Sequence, residues 1–503
     1  MKYLNSDVIE LLNYQQKLII ESKEDLIIVE ACPGAGKTYT VVNKIQKELN
    51  NSDTGVIACS FTNEASDELR KRISRKVDVS NCFIGTIDSF ILSEIIGKFI
   101  NRYLNTLDKK YKKIEIKNVI FPSNPRLVNE LTRFTNKREE ILDYYKKWME
   151  NLINGIYEIS FPSYILATKI VDSPYFNDLY LTKYSTIYID EAQDLNYYQH
   201  LFIKRLRENT GIKIVMVGDS NQSIYQFRGA NPILFKNLAQ EGYKLYTINV
   251  SVRCHPSISY YANKLVNLDS PLGTLSENRI NYISEIDIDF LSNLSEGFFI
   301  ICETNNLAQL LYERFKNDIE LYYIKALDIS DEEYNVHRDL IDKILKYYYN
   351  YNNENPKKIY SKEDFYNFLL NINPRIKEVE INLNDDLNVK DYIKRICFLV
   401  GTALSDNLLN DIENKLNDDV YKYYYLNTER NNRIMTIHAS KGLENNNVIV
   451  CLENSYNFNE EYQNKLFVAI TRAIDNVFLY PTNTFAHKEK ITEIIPISYN
   501  NNQ

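Results

Sequence analysis

Residues 31–38 carry the clearest chemical pattern in the chain. They spell Ala-Cys-Pro-Gly-Ala-Gly-Lys-Thr and follow the apolar run 26–29, from which only Glu30 separates them. An apolar strand ending in a glycine-rich loop that closes on Lys-Thr is typical of a nucleoside-triphosphate site, because the loop amides can surround phosphates. Lys37 would reach the terminal phosphates and the Thr38 hydroxyl would ligate Mg²⁺. Because Ala31 stands where the general pattern has glycine, the loop alone also admits an ordinary turn between a strand and a helix.

Two acids follow a second apolar run, since residues 186–189 lead directly into Asp190 and Glu191. In a Mg²⁺-dependent hydrolase, Asp190 would hold the metal and Glu191 would orient and deprotonate the attacking water. Acids also favour the N-terminal end of a helix dipole, so a solvated helix start is the alternative. The phosphate-loop pattern upstream favours the hydrolase interpretation.

A third polar stretch, residues 218–230, follows the apolar run 214–217. Its side chains would lie at the carboxyl end of a strand, which is where ligands bind in open α/β sheets. Tyr225 and Phe227 would then lie near the same site.

The elements that would position these residues alternate between strand and helix. Apolar runs at 26–31 and 55–59 are each followed by a helical stretch, so a parallel sheet flanked by helices is expected. Further strand patterns occur at 186–190, 214–217, 297–301, 448–451 and 477–480. Two polar, helical stretches interrupt them, at about 93–180 and 332–432. The first contains a helical stripe of Ile141, Leu142, Tyr145, Trp148, Met149 and Leu152. The sequence predicts two α/β lobes, each with a helical insertion.

Composition excludes several classes of protein. The chain has 503 residues, of which 44% are hydrophobic and 25% charged, and no apolar run reaches the roughly 18 residues of a membrane span. The first residues lack the apolar core of a signal peptide, so a cytoplasmic location without membrane contact is expected. Seven Cys and five His are scattered, which argues against a disulfide framework or a His/Cys metal cage. The net charge of −8 does not exclude nucleic acid, because such binding needs only a local basic groove.

In order along the chain, these motifs resemble those of superfamily 1 DNA helicases of the UvrD/PcrA/Rep type, whose phosphate loop also commonly begins with Ala. The resemblance covers most of the length apart from the two insertions. The matching segments are 13–16 (Q motif), 31–38 (motif I), 60–63 (Ia), 85–90 (Ib), 190–194 (II), 218–230 (III), 252–253 (IV), 436–444 (V) and 468–473 (VI).

The resemblance implies two RecA-like P-loop NTPase lobes, each with a helical insertion. Lobe 1A would comprise 1–92 and 181–250, and its insertion 1B would comprise 93–180. Lobe 2A would comprise 251–331 and 433–503, with a reduced 2B-like insertion at 332–432.

The resemblance also implies ATP and Mg²⁺ as cofactors. Gln222 would sense the γ-phosphate, and Arg253 and Arg472 of the second lobe would act as arginine fingers that neutralise transition-state charge. Gln16 would recognise adenine and Glu444 would contact the ribose. The expected catalytic residues are Lys37, Asp190, Glu191, Gln222, Arg253 and Arg472. The expected nucleotide-binding residues are Gln16, Ala31, Cys32, Pro33, Gly34, Ala35, Gly36, Lys37, Thr38, Tyr39 and Glu444, with Thr38 and Asp190 at the metal.

A path for single-stranded DNA is implied as well. Phe61, Tyr225 and Phe227 would stack on bases without sequence preference. Contacts to the DNA backbone are expected from Asn63, Thr86, Arg228, Thr436 and His438. A place in the apolar core is the alternative for Phe61 and Phe227.

Val252 and Asp88 are among the residues that depart from the family pattern. Val252 stands where the family has a Tyr that stacks on adenine, and Asp88 replaces a common His, which places an acid near the expected DNA path. The insertion at 332–432 is also short for this family, which favours a compact motor.

Among compact relatives, residues 83–96 and the pair Arg253-Cys254 resemble the GajB-type helicase-like subunits of the Gabija antiphage system. That resemblance implies a GajA-like OLD/Toprim nuclease as protein partner and a role in antiviral defence. We therefore expect an ATP-dependent, 3′-to-5′ helicase or translocase acting on single-stranded DNA or DNA ends. A DNA-stimulated regulatory ATPase with little unwinding and a generic repair or plasmid helicase are the alternatives.

Overall fold

A computed structural model shows two compact units. It describes residues 6–61, 63–107, 118–120, 138–158, 161–174, 176, 178–226, 229–268, 277–325, 327, 329, 331–351, 362, 365, 366, 369, 376–382, 388–425, 432–453, 459–482 and 488–495. Unit 1 comprises Met1–Ile280, Ser455–Asp475 and Glu489–Pro496. Unit 2 comprises Asn281–Asn454, Asn476–Lys488 and Ile497–Gln503.

Strands and helices alternate along much of the chain. The strands are β1 (Leu26–Ala31), β2 (Gly55–Ser60), β3 (Phe83–Thr86), β4 (Asn118–Ile120), β5 (Ile156–Glu158), β6 (Tyr184–Ile189), β7 (Lys213–Gly218), β8 (Lys244–Ile248), β9 (Ile280–Tyr282), β10 (Phe298–Cys302), β11 (Tyr322–Tyr323), β12 (Arg433–Thr436), β13 (Asn445–Leu452) and β14 (Ala473–Pro481). The helices are α1 (Ser6–Glu21), α2 (Lys37–Leu49), α3 (Asn63–Ser74), α4 (Ile87–Phe90), α5 (Gly97–Leu107), α6 (Arg138–Ile153), α7 (Phe161–Val171), α8 (Tyr197–Thr210), α9 (Pro232–Asn237), α10 (Pro256–Leu265), α11 (Ile288–Ser292), α12 (Asn305–Phe315), α13 (Glu332–Tyr351), α14 (Val389–Leu399), α15 (Asp406–Leu416), α16 (Asp419–Tyr425), α17 (Ile437–Ser440), α18 (Glu460–Ile470) and α19 (Lys488–Ile494).

Unit 1 is built on a six-stranded parallel sheet in the order β3-β2-β6-β7-β1-β8. Successive residues of a strand point to opposite faces, and both faces of this sheet are covered. In β1, Ile28 belongs to one apolar core, which includes residues of α7 and α8. Ile27 and Val29 belong to the other core, with residues of α1, α2 and α3. Burial on both faces explains why the strands form continuous apolar runs in the sequence, and the predicted parallel sheet is confirmed.

The first insertion packs against one face of this sheet. Ile141, Trp148 and Leu152 of α6 are buried in the core that includes Ile28, which agrees with the predicted helical stripe. Leu142 is 46% exposed and lies off that stripe. The insertion also holds a short parallel pair, β4 with β5, that the sequence did not predict. A π-helix at Ile91–Ile96 joins α4 to α5.

Unit 2 carries the second six-stranded sheet, in the order β11-β12-β10-β13-β14-β9. The first residues of β9 and β14 fall in unit 1. The pairs β10 with β12, β10 with β13 and β11 with β12 are parallel. Two parallel-sheet α/β units agree with the predicted pair of RecA-like lobes.

Helices α13 to α16, which we call the helical module, form the polar region expected at 332–432. Its amphipathic helices enclose a core of their own, in which Tyr334, Tyr347, Tyr392 and Ile396 are buried. Burial of these large side chains is the main source of the module's stability.

The two units divide the chain differently from the predicted domain boundaries. Residues 251–280 and 455–475 fall in unit 1, although both segments were expected in lobe 2A. Both predicted arginine fingers therefore lie in the same unit as the phosphate loop. None of the helices in the described part of the chain is long and apolar enough to cross a membrane.

Candidate active site

The phosphate loop begins where β1 ends and closes on the first turn of α2. Gly34 and Gly36 have φ values of 70° and 76°, a left-handed conformation that favours glycine. Cys32 N donates to Ile248 O of β8 at 2.9 Å, and Val252 N donates to Gly34 O at 3.0 Å. A Cβ on Gly34 would lie 2.5 Å from the Arg253 Cβ, so this close approach also requires glycine.

Lys37 and Thr38 lie at the start of α2, where the helix dipole favours anions. Lys37 Nζ donates to Ala31 O at 3.3 Å. Thr38 Oγ1 donates to Asp190 Oδ2 at 3.4 Å. The loop hydroxyl and the acid at the end of β6 are thus neighbours, as predicted from the sequence.

The two acids at the end of β6 differ in environment. Asp190 is only 7% exposed, and burial, followed by the charge of Glu191, raises its pKa to about 6. Glu191 has a φ of 56°, which is strained for a residue with a side chain. Its amide donates to Asp190 Oδ1 at 3.0 Å, so the turn itself holds the Asp190 carboxylate.

Gln193 is a site residue that the sequence analysis missed. It is fully buried, and its Nε2 donates to Glu191 Oε2 at 2.6 Å. Its Oε1 accepts from Asp219 N at 3.1 Å. One amide side chain therefore links the predicted base to the turn after β7, a link that only the juxtaposition of β6 and β7 reveals.

Gln222 and Arg472 meet in the same unit. Gln222 Nε2 donates to Asp219 Oδ2 at 2.7 Å, and burial raises the pKa of Asp219. Arg472 Nη2 donates to Gln222 Oε1 at 3.3 Å, and its Nε donates to Val468 O at 3.0 Å. Arg472 is 1% exposed, so α18 delivers a buried cation directly to the predicted phosphate sensor.

Arg253 joins this group from the segment before α10. Its Nη1 donates to Thr471 O at 3.4 Å, beside Arg472 in sequence. The structure thus brings together five of the six predicted catalytic residues around the phosphate loop: Lys37, Asp190, Gln222, Arg253 and Arg472. Glu191, the sixth, directly follows Asp190.

Glu30, the last but one residue of β1, is a second residue that the sequence analysis missed. Its Oε1 accepts from both the amide and the hydroxyl of Ser220 at 2.7 Å. Burial, followed by the charge of Asp219, raises its pKa. Glu30 therefore ties the strand before the phosphate loop to the turn that carries Gln222.

The predicted adenine contact, Gln16, lies against the phosphate loop. Gln16 is 8% exposed, and its Nε2 donates to Ala35 O at 3.1 Å. Tyr39 is 54% exposed one residue after Thr38. Val252 offers an aliphatic side chain where the family has a stacking ring. The predicted ribose contact, Glu444, is exposed and lies in unit 2.

Comparison with known proteins gives two family matches at separate places in the chain. Residues 15–228 match the family described as AAA domain, and residues 432–480 match the family described as UvrD-like helicase C-terminal domain. In carrying both domains, the chain resembles the UvrD-like helicases of superfamily 1. It is accordingly an ATP hydrolase, and the predicted enzyme class is confirmed.

Individual relatives of the chain differ in how much of their length they share with it. Gabija protein GajB of Bacillus cereus (strain VD045) is 27% identical over 91% of this chain and 93% of its own. ATP-dependent DNA helicase Rep of Buchnera aphidicola subsp. Schizaphis graminum is 26% identical over 61% of this chain and 49% of its own. ATP-dependent DNA helicase PcrA of Bacillus subtilis is 27% identical over 46% of this chain and 36% of its own. The chain thus matches about half of Rep, about a third of PcrA and nearly all of GajB.

Two of the predicted DNA contacts in unit 1 pack against each other. The Phe61 and Tyr225 rings are stacked, with centroids 5.8 Å apart and planes 26° apart, and both are half-buried. They therefore form a surface aromatic pair and not part of the apolar core. Phe227 and Arg228 lie outside the described residues. Asn63 opens α3, and its side chain is not among those described.

Thr86 and Asp88 make internal contacts instead of remaining open to a ligand. The Thr86 hydroxyl caps α4 by accepting from Ser89 N at 3.1 Å. The Asp88 carboxylate accepts a hydrogen bond from the Tyr164 hydroxyl of α7, and burial raises its pKa. The acid expected near the DNA path is thus tied into the first insertion.

Thr436 in unit 2 repeats the role of Thr86. Its hydroxyl accepts from Ala439 N at 3.3 Å and caps α17. His438 lies within that short helix and is half-buried. The predicted contacts of unit 2 thus cluster at the carboxyl end of β12.

Proposed function

We propose that the chain is an ATP-driven motor on single-stranded DNA, a translocase or helicase moving 3′-to-5′, that serves an antiphage nuclease complex as its ATPase subunit. The observation that carries this proposal is the hydrogen-bonded chain that links Asp219, Gln222 and Arg472 beside the phosphate loop. A plain nucleotide-binding module would need the loop but not this sensor and arginine.

The roles follow from where each side chain lies. Lys37 and the α2 amides would hold the β- and γ-phosphates. Glu191, oriented by Gln193, would take the proton of the attacking water. Arg472 and Arg253 would neutralise the charge that develops on the γ-phosphate, a contribution of about 10³–10⁵ in rate where such arginines are known.

The residues present fit a Mg²⁺ ion. Thr38 Oγ1 and Asp190 Oδ2 are hard oxygen ligands only 3.4 Å apart. Among the described residues, no cluster of three His, Cys, Asp or Glu forms a metal cage of its own. Mg²⁺ in phosphoryl-transfer sites is bound by one or two protein oxygens together with substrate phosphates, so this pair is what such a site needs. Thr38 and Asp190 would hold the ion, and its positive charge would offset the charge of the phosphates.

Coupling to DNA is supported by the turn after β7. The short helix Ser220–Gln222 carries the phosphate sensor, and three residues later Tyr225 stacks on Phe61. A shift of Gln222 on loss of the γ-phosphate would therefore displace a base-stacking ring. This gives ATP turnover a direct path to a DNA-binding residue.

The defence role rests on the match to nearly the full length of Gabija protein GajB. The proposed partner is a nuclease of the OLD/Toprim class, as the sequence resemblance implies. The test is whether co-expression with such a nuclease gives a complex that purifies together and restricts phage, and whether Glu191→Gln abolishes the restriction. Co-purification without phage restriction would leave the motor intact and remove the defence role.

The motor itself is tested by ATP turnover with and without single-stranded DNA across a salt series. We expect stimulation by DNA that weakens as salt rises, because phosphate contacts release counterions. Glu191→Gln should bind ATP and DNA but hydrolyse ATP at least about 100-fold more slowly. Turnover that ignores DNA would contradict the proposal, and normal turnover by the variant would remove Glu191 as the base.

Unwinding separates the motor from its alternative. Duplexes with a 3′ tail should be opened faster than duplexes with a 5′ tail, alone or with the nuclease partner. ATP turnover that is stimulated by DNA but opens neither substrate would favour the regulatory ATPase.

A further inference from the structure

We propose that Lys325, Lys346, Lys415, Tyr421 and Tyr424, which we call the Lys–Tyr surface, bind the phosphate backbone of DNA in unit 2. This inference rests on the proposed action on DNA and adds a site that the helicase motifs do not contain. All five residues lie outside the nine motif segments.

The surface is assembled from four separate elements. Lys325 follows β11, Lys346 lies on α13, Lys415 on α15, and the two tyrosines on α16. The Tyr421 ring has two ammonium groups near it, Lys325 Nζ at 5.3 Å and Lys415 Nζ at 5.1 Å from its centroid. Lys346 Nζ lies 5.9 Å from the centroid of Tyr424, one helical turn further on.

The tyrosines hold these lysines in place. Lys325 Nζ also donates to the Tyr421 hydroxyl at 3.4 Å, and all five side chains are half-buried. Cation–π contact restricts the lysine rotamers before any ligand arrives. Restricting flexible lysines in advance lowers the entropy cost of binding an anion.

Sheet register places this surface beside the predicted DNA contacts of unit 2. Tyr323 of β11 pairs with Ile434 of β12, and Ile324 N donates to Ile434 O at 2.9 Å. Because these strands are parallel, Lys325 and Thr436 leave the sheet at the same edge, its carboxyl end. A strand bound at Thr436 and His438 would therefore lie at the same edge of the sheet as Lys325.

The chemistry selects a polyanion as the ligand. Lysine ammonium groups bind phosphates without bidentate geometry and carry no sequence preference. Three of them on adjoining elements suit the repeating charge of a nucleic-acid backbone, and the half-buried tyrosines add ring surface. The expected substrate is the phosphate backbone of the strand on which the motor moves.

The test uses the full chain with Lys325, Lys346 and Lys415 all changed to Gln. Binding of a fluorescent oligo-dT is measured by anisotropy from low to high salt. We expect affinity to fall at least about tenfold near 0.1 M salt and the log–log salt slope to flatten by about 2, since each single-strand phosphate contact contributes about 0.7. Basal ATP turnover without DNA should not change.

Two variants control for packing. Lys316 lies 5.8 Å from the Tyr312 ring centroid and pairs with Glu313 at 2.6 Å on α12 of the same unit. Lys316→Gln removes a comparable lysine–tyrosine contact away from the surface and should leave the salt slope unchanged. Changing the three surface lysines to Arg keeps the charge and should restore DNA binding.

The same measurement with a duplex oligonucleotide shows whether the surface binds only single-stranded DNA or the backbone of both forms. A loss confined to single strands assigns the surface to the unwound strand, and a loss on both assigns it to the backbone in general. If the wild-type chain binds DNA but the triple Gln variant keeps its affinity and salt slope, the proposal that the Lys–Tyr surface binds DNA is wrong. If the wild-type chain does not bind DNA at all, the proposed function has failed instead.

Discussion

In each unit a strand of the sheet leads into a helix, and the two helices differ in what caps their N-termini. In unit 1, β1 leads through the phosphate loop to α2, whose N-cap is Gly36 and has no side chain to cap the helix. In unit 2, β10 leads to α12, whose N-cap Thr304 accepts from Leu307 N at 3.3 Å. Glu453, directly after the neighbouring β13, accepts from Glu303 N at 2.6 Å and from Thr304 N at 2.9 Å.

In unit 2, the Glu453 carboxylate thus binds the amides between the strand and the helix. In unit 1, the amides in this kind of position are left to bind phosphates. Every helix N-terminus favours an anion. What differs is whether the protein supplies the anion or a ligand does. The same strand-to-helix geometry therefore gives a nucleotide site in one unit and an internal cap in the other.

The largest expected effect is on ATP turnover, and it distinguishes an arginine of unit 1 from an arginine of unit 2. Arg472→Lys keeps the charge but loses the planar fork that reaches Gln222 and Val468, so kcat for ATP should fall about 10²–10³-fold. The matched control is Arg433→Lys on β12 of unit 2, where the guanidinium lies 5.6 Å from the Phe299 ring centroid. Steady-state ATP turnover checks both, and an equal loss in the two variants would mean that Arg472 acts only through stability.

The next effect compares two glycines with positive φ. Gly34→Ala would place a Cβ 2.5 Å from the Arg253 Cβ, so nucleotide affinity should fall at least about tenfold as the loop is displaced. Gly401→Ala in unit 2 meets nothing within 4 Å, although its φ is 79°. It should cost only about 1 kcal/mol of stability and leave affinity unchanged. Binding of a fluorescent ATP analogue and thermal melting measure the two quantities, and weakened nucleotide binding by the Gly401 variant would contradict the comparison.

Some features of the site could be predicted from the sequence, and others could not. The loop at 31–38, the acids at 190 and 191 and both sheets were predictable, because their signals are local patterns of glycine, charge and apolar runs. Gln193 and Glu30 were not, since their roles depend on which strands become neighbours. The assignment of Arg253 and Arg472 to the compact unit of the phosphate loop likewise depends on packing that no single motif contains.

A smaller effect concerns the stability that the protein loses because the ionised Asp190 carboxylate is buried. Its pKa in the folded chain is raised to about 6, against a model-peptide value near 3.9. A raised carboxyl pKa means that the folded state holds the proton more tightly, so stability falls as pH rises from about 4 to about 6 and stays lower above that. The penalty at pH 7.5 is on the order of 3 kcal/mol.

Asp190→Asn should therefore stabilise the protein at pH 7.5 while abolishing ATP turnover. Thermal melting without Mg²⁺ or nucleotide should show a gain over wild type at pH 7.5 that shrinks towards pH 4.5. Asp406→Asn in unit 2 is the control, because the Lys394 ion pair lowers the pKa of that exposed carboxyl and its loss brings no gain. A gain for Asp190→Asn that does not depend on pH would show that buried charge is not its cause.

The smallest effect tests the internal cap directly. Glu453→Ala removes the carboxylate from Glu303 N, Thr304 N and the Thr304 hydroxyl, which donates to it at 2.6 Å. Water and the Thr304 side chain can replace only part of this cap, so unit 2 should lose about 1–2 kcal/mol of stability. ATP affinity and kcat should stay within about twofold of wild type, since the nucleotide site lies in unit 1. Equilibrium unfolding in urea and ATP turnover measure the two effects. Phosphate added at millimolar concentration offers the sharper outcome: if the comparison is right, it should stabilise Glu453→Ala more than it stabilises wild type. Both proteins share the phosphate loop, but only the variant has lost the carboxylate that accepts from the Glu303 and Thr304 amides.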